Sequence, residues 1–146
     1  MKAPTDALLQ VERSLAAERG PFALFALLLR EEAPDKWDLV VSAPWIEENK
    51  GAALKLLSER VKNALAVSDL PGISRIVVAD PSDPAVDAIN RAIKVEHAAV
   101  EVKDSTFFGL QIKHGHIFAS SRPTAHARQP IPNYAVQRTR RKRGRR

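Results

Sequence analysis

Cysteine is absent from the chain. That excludes disulfides, thiolate zinc sites and a cysteine nucleophile, and it suits a reducing cytosol. Aromatic residues are scarce, at 5%, so a core has to be built from Leu, Val, Ile and Ala. Long apolar runs are missing as well. The longest, Phe22 to Leu29, falls far short of the roughly 20 residues a membrane helix needs. The opening Met-Lys-Ala-Pro-Thr-Asp passes straight into an amphipathic pattern, without the apolar block of a signal peptide. Together these absences predict a soluble cytoplasmic protein with no membrane partner.

Acidic residues are missing from one region only. Between Arg122 and Arg146 there are nine Lys/Arg and no Asp/Glu, leaving 14 Lys/Arg against 17 Asp/Glu in residues 1–121. The net charge of +6 therefore belongs to the tail, and the body is mildly acidic. Three prolines and few apolar residues after Ser121 cannot repay the entropy of ordering, which predicts a disordered basic tail over 122–146. What remains, residues 1–121, has the size and the hydrophobic content of a single domain.

Periodicity organises that body. Leu8, Val11 and Leu15 recur at helical spacing after Thr5-Asp6, and Gly20-Pro21 ends the pattern. Phe22 to Arg30 is a short apolar run that fits a buried strand or a buried helix, though its flanks bound a strand-length piece; Asp38 to Ala43 reads as a strand, and the two would pair antiparallel across residues 31–37. Asn49 to Ala66 predicts a helix with Ala53, Leu57 and Val61 on its inner face. Arg75 to Ala79 reads as a strand buried on both faces. Asp83 is placed to cap a third helix, with Pro84 in its first turn and Val86, Ile89 and Ile93 facing inward. The alternating end of the body reads as three strands, at 99–102, 107–112 and 117–119, with turns at 103–106 and 113–116. The predicted fold is α+β: a mixed sheet of five or six strands with three helices, in the order α-β-β-α-β-α-β-β-β. The two strand–helix–strand crossovers call for some parallel pairing.

Several residue sets carry possible chemistry. Ligands in sheets with parallel strands favour the crevice beyond the strands' carboxyl ends. Here those ends hold Ser42 and Trp45, and Asp80 and Ser82, which makes these four the candidate ligand site. Neither loop is glycine-rich, so a phosphate finds no close backbone cradle there. His114 and His116 would share a face on a strand, but Gly115 between them predicts a turn; His97 and Asp104 would have to converge on them to complete a metal site. Glu101-Val102-Lys103 has the Glu-x-Lys form of metal-dependent nucleases, with Asp80 as the upstream carboxylate and His114 as an accessory group. In the tail, Arg138, Arg140, Arg141, Lys142, Arg143, Arg145 and Arg146 form a phosphate-binding cluster with one aromatic nearby, Tyr134. That composition favours salt-sensitive, sequence-independent contact with nucleic acid.

Two resemblances accompany these residues. Trp37-Asp-Leu-Val-Val-Ser-Ala-Pro-Trp45 and Phe107-Phe-Gly-Leu-Gln-Ile-Lys-His114 resemble segments of small bacterial proteins of unassigned function, which implies a bacterial cytosolic domain and brings no activity. Residues 130–146 resemble the ends of unrelated bacterial proteins that arise from a translated repeat element. No nucleophile elbow, phosphate loop or triad spacing is present. The expectation is a binding or protein-interaction module rather than an enzyme, without catalytic residues, metal or cofactor. The alternatives are nucleic-acid binding through the tail and a metal-dependent hydrolase. The last requires Asp80 and Glu101 within about 8 Å of each other.

Overall fold

A stripe of Leu8, Val11 and Leu15 turns Thr5–Arg19 into an amphipathic helix, α1, that buries one side. The computed structural model describes residues 4–33, 35–66 and 72–121. Leu24–Arg30 follows as strand β1, with every residue but its last buried. Its unbroken apolar sequence reflects cover on both faces. Trp37–Ser42 forms β2, Pro44–Glu48 a short helix α2, and Lys50–Ala64 the longer helix α3. The side chain of Asn49 accepts from the Ala52 N–H and starts α3. Ile73–Val78 is β3 and Pro84–Ala92 is α4, capped by Asp83 on the Ala85 N–H at 2.8 Å. Val100–Phe107 and Leu110–Ser120 are β4 and β5.

The strands form one mixed sheet in the order β3-β2-β1-β5-β4. β1 pairs antiparallel with β2 and β5, β4 pairs antiparallel with β5, and β2 pairs parallel with β3 across α3. On one face, Leu8 and Leu15 of α1 and Leu57 and Val61 of α3 join Phe25, Leu27, Leu39, Val41 and Phe118. On the other, Val86 and Ile89 of α4 join Leu24, Ala26, Val40 and Ile117. Asn90 anchors α4 there, its amide donating to Ala23 O at 2.8 Å and Ser120 Oγ at 3.0 Å. The far half of that face, toward Leu28, Asp38 and Ile112, opens into a cavity instead. No helix among the described residues is long and apolar enough to cross a membrane.

The α+β class and the mixed sheet agree with expectation, and four details correct it. Pro44–Glu48, read as loop, is a helical turn. β3 is an edge strand with exposed residues, not one buried on both faces; its apolar run reflects half-burial beside α3. The second crossover does not pair its strands, because β3 and β4 lie at opposite edges. Finally, the three short terminal strands are two long ones, turning only at Phe108 and Gly109. Both turn residues have positive φ, 55° and 75°, as a tight two-residue hairpin of matching twist requires.

The misplaced turn has a steric cause. Gly115 lies within β5, and a Cβ there would stand 2.9 Å from Leu28 Cδ2 and 3.0 Å from Val102 Cγ2. Glycine marks a close approach of neighbouring strands here, not a reversal of the chain.

Candidate functional site

The four residues at the strand ends do not converge. Ser42 is fully buried, and its Oγ has no hydrogen-bond partner. Trp45 packs on the α1/α3 side, edge-on to Phe22 at 5.6 Å, and its indole N–H donates to Gly20 O at 3.1 Å. Asp80 accepts from the backbone N–H of Ser82 at 2.8 Å and from its hydroxyl at 2.7 Å. These two bonds, with Lys50 nearby, hold its carboxyl below the usual carboxylate range. Of the four, Asp80 alone lines the cavity described next.

That cavity has a volume of about 380 Å³. Its floor is apolar: Leu28, Val40, Val77 and Ile112 come from four different strands. Phe107 and Phe108, at the tip of the β4–β5 hairpin, form one wall. Phe108 holds a left-handed φ of 55°, a conformation costing a side-chain-bearing residue about 1–2 kcal/mol.

Charge is confined to the two ends. At one, Asp38 is buried, its side chain 6% exposed, between two guanidinium groups. Arg30 Nε donates to Asp38 Oδ2 at 2.9 Å, and Arg30 Nη1 donates to Glu32 at 2.7 Å. Glu32, with Asp38 adding to it, pushes the Arg30 guanidinium further up from its ordinary value. Arg75 reaches the same carboxylate more loosely, Nη2 to Oδ2 at 3.4 Å and Nε to Oδ1 at 3.3 Å. The second is an ionic contact without hydrogen-bond geometry, and Oδ1 accepts no hydrogen bond. Arg75 remains 53% exposed. At the other end stand Lys50, Asp80 and Asp83, the last committed to capping α4.

A wider cleft of about 480 Å³ lies along the C-terminal half of α4. Several of its polar groups are matched to one another, Arg91 to Asp87 at 2.9 Å and Asn90 to the backbone and Ser120. The more apolar of the two, over Leu28, Val40, Val77 and Ile112, is the better candidate on chemistry.

The histidines assemble differently from expectation. With Gly115 in strand geometry, His114 and His116 do share a face, their rings 4.7 Å apart and each within 6 Å of the Trp37 ring. Glu101 on β4 accepts from His114 Nε2, and that bond holds the Glu101 carboxyl below the usual range. Burial, and then the neighbouring His114, push His116 below the ordinary imidazole value. His97 sits elsewhere, its Nδ1 bonded to both oxygens of Glu12 at 3.0 and 2.9 Å. Burial drives the Glu12 carboxyl up, with His97 opposing. Among the described residues no group of three or more His, Asp or Glu is arranged to hold a metal ion.

The nuclease constellation is not assembled. Asp80 follows β3 and Glu101 lies on β4, the opposite edges of a five-stranded sheet. Four inter-strand spacings separate them, about 19 Å. Glu101 and Lys103 instead pair across to His116 and His114 of β5. The tail cluster, Arg138, Arg140, Arg141, Lys142, Arg143, Arg145 and Arg146, lies outside the described residues.

Sequence reasoning missed Arg30, Asp38, Arg75 and the two phenylalanines. One signal was available: Asp38 is the one charged residue of a mostly apolar strand, and a carboxylate in a buried strand needs a cation. The comparisons are negative throughout: no family model, curated protein or solved structure matches this chain.

Proposed function

We propose that residues 1–121 form a binding module whose site is the cavity over Leu28, Val40, Val77 and Ile112. The observation that carries this reading is an apolar, small-molecule-sized space with charge confined to its ends, the usual make-up of a ligand site. Binding fits better than acid–base chemistry, because Asp38, the buried carboxylate of the lining, is already engaged by two guanidinium groups. A cytosolic setting suits a chain without cysteine. The test is an NMR screen of the full chain against mixed small apolar compounds. Shift changes clustered at Val40, Val77, Phe107 and Ile112, and lost in a Val77→Trp variant that fills the space, are expected. Changes scattered elsewhere, or none, would refute the reading.

A second reading rests on the tail, where nine Lys/Arg and no acid lie between Arg122 and Arg146. We propose non-specific phosphate contact with nucleic acid there. Its signature is an affinity that falls steeply with salt and disappears when the basic residues of 138–146 become Gln. Salt-independent binding, or binding unchanged by the Gln variant, would end it.

A further inference from the structure

We infer that the cavity takes an organic carboxylate, with a linear or aromatic apolar body of roughly eight to ten carbon atoms and its carboxylate held by Arg75. The inference rests on the cavity being the binding site and adds the chemical class of its occupant.

The position of Arg75 carries it. At the Asp38 end two guanidinium groups face one buried carboxylate. Arg30 is bonded to Asp38 at 2.9 Å and to the exposed Glu32 at 2.7 Å, so its charge is already matched. Arg75 is the accessible member. It holds Asp38 only at 3.3 and 3.4 Å, and Asp38 Oδ1 gains no hydrogen bond from it. A guanidinium so loosely engaged can turn its planar fork to a second carboxylate, the geometry in which arginine binds best. Asp38 then acts as a positioning residue, keeping both cations at one end of the cavity.

The rest of the cavity decides the shape and direction of the ligand. From Arg75 to Asp80 the chain runs about 16 Å in extended form, past Val77 and Ala79. That stretch has nothing to solvate a polar body, so it selects an apolar one. At its far end Asp80 and Asp83 outnumber Lys50 and repel an anionic head. The carboxylate therefore has a single favoured end, beside Arg75.

The experiment compares three probes of one shape, octanoate, octan-1-ol and octylamine, by NMR titration of the full chain and of Arg75→Gln. Octanoate is expected to bind at least 10-fold more tightly than octanol, with octylamine weakest. In Arg75→Gln that 10-fold advantage disappears while octanol affinity is unchanged. Octanol or octylamine binding as tightly as octanoate overturns the carboxylate inference and leaves the cavity reading standing. Octanoate binding equally to wild type and Arg75→Gln does the same. If no probe shifts the cavity residues, both fail. The wild-type series decides by itself should the variant not fold.

Discussion

Replacing Gly115 with alanine tests the strand assignment that reorganises the end of this fold. In β5 the new Cβ would stand 2.9 Å from Leu28 Cδ2 and 3.0 Å from Val102 Cγ2, nearly 1 Å inside the roughly 3.8 Å of an ordinary carbon contact. Leu28 can turn its side-chain end aside, but Val102 is β-branched and stiff. Overpacking of this kind costs about 1–3 kcal/mol. Removing a glycine from the unfolded chain returns about 0.4–1 kcal/mol, and Gly115 does not have a positive φ, so no backbone strain is added. The net expectation is a loss of about 1–2 kcal/mol, or about 4–8 °C in Tm for a domain of this size. Urea unfolding of Gly115→Ala, Leu28→Ala and the double variant measures it. Leu28→Ala alone should cost about 2–5 kcal/mol. The double variant should lose about 1 kcal/mol less than the sum, because the added methyl enters the vacated space. A neutral Gly115→Ala with strictly additive losses is what a glycine in an open turn would give, and it would refute the packing argument.

Three further outcomes follow from the same geometry. Gly109→Ala, at φ 75° with nothing within 4 Å of a new Cβ, should cost about 1–2 kcal/mol through backbone strain alone, while Gly109→Asn stays near neutral; equal losses would contradict this. Burial raises the Glu12 carboxyl, so its contribution is most favourable below the usual carboxylate range and is lost as pH rises through the raised value. The Tm of Glu12→Gln relative to wild type should therefore climb between acid and neutral pH; a falling difference would be the wrong sign. His114 lowers the Glu101 carboxyl, so that pair stabilises above the usual range and fails as pH falls through the depressed value. Carbon-detected NMR should find Glu101 titrating low, and returning to ordinary behaviour in His114→Ala.

Local signals account for most of the elements. Asp83-Pro84 and Asn49 start helices because a side-chain acceptor beside a free N–H needs only neighbouring residues. The stripes Leu8–Leu15 and Ala53–Val61 show the helical period because each helix buries one side. β1 shows no period because both its faces are buried, so the Gly-Pro before it and its length favour a strand without excluding a buried helix. The hairpin was illegible for the opposite reason. Its turn carries Phe-Gly where a polar residue with glycine is usual, while a true strand carries the glycine that looks like a turn.

What this sequence determined by itself is therefore the α+β class, the starts of the three long helices, a mixed sheet with some parallel pairing and the charge division between body and tail. Each of these depends on residues close together in the chain, or on composition. Tertiary structure alone decided that β3 and β4 occupy opposite edges, which parts Asp80 from Glu101. It also decided that Arg30, Asp38 and Arg75 meet at one end of the cavity, and that His114 and His116 pack beside Trp37. Those contacts span up to 79 residues of chain, and strand order, on which they depend, leaves no mark on the spacing of neighbouring residues.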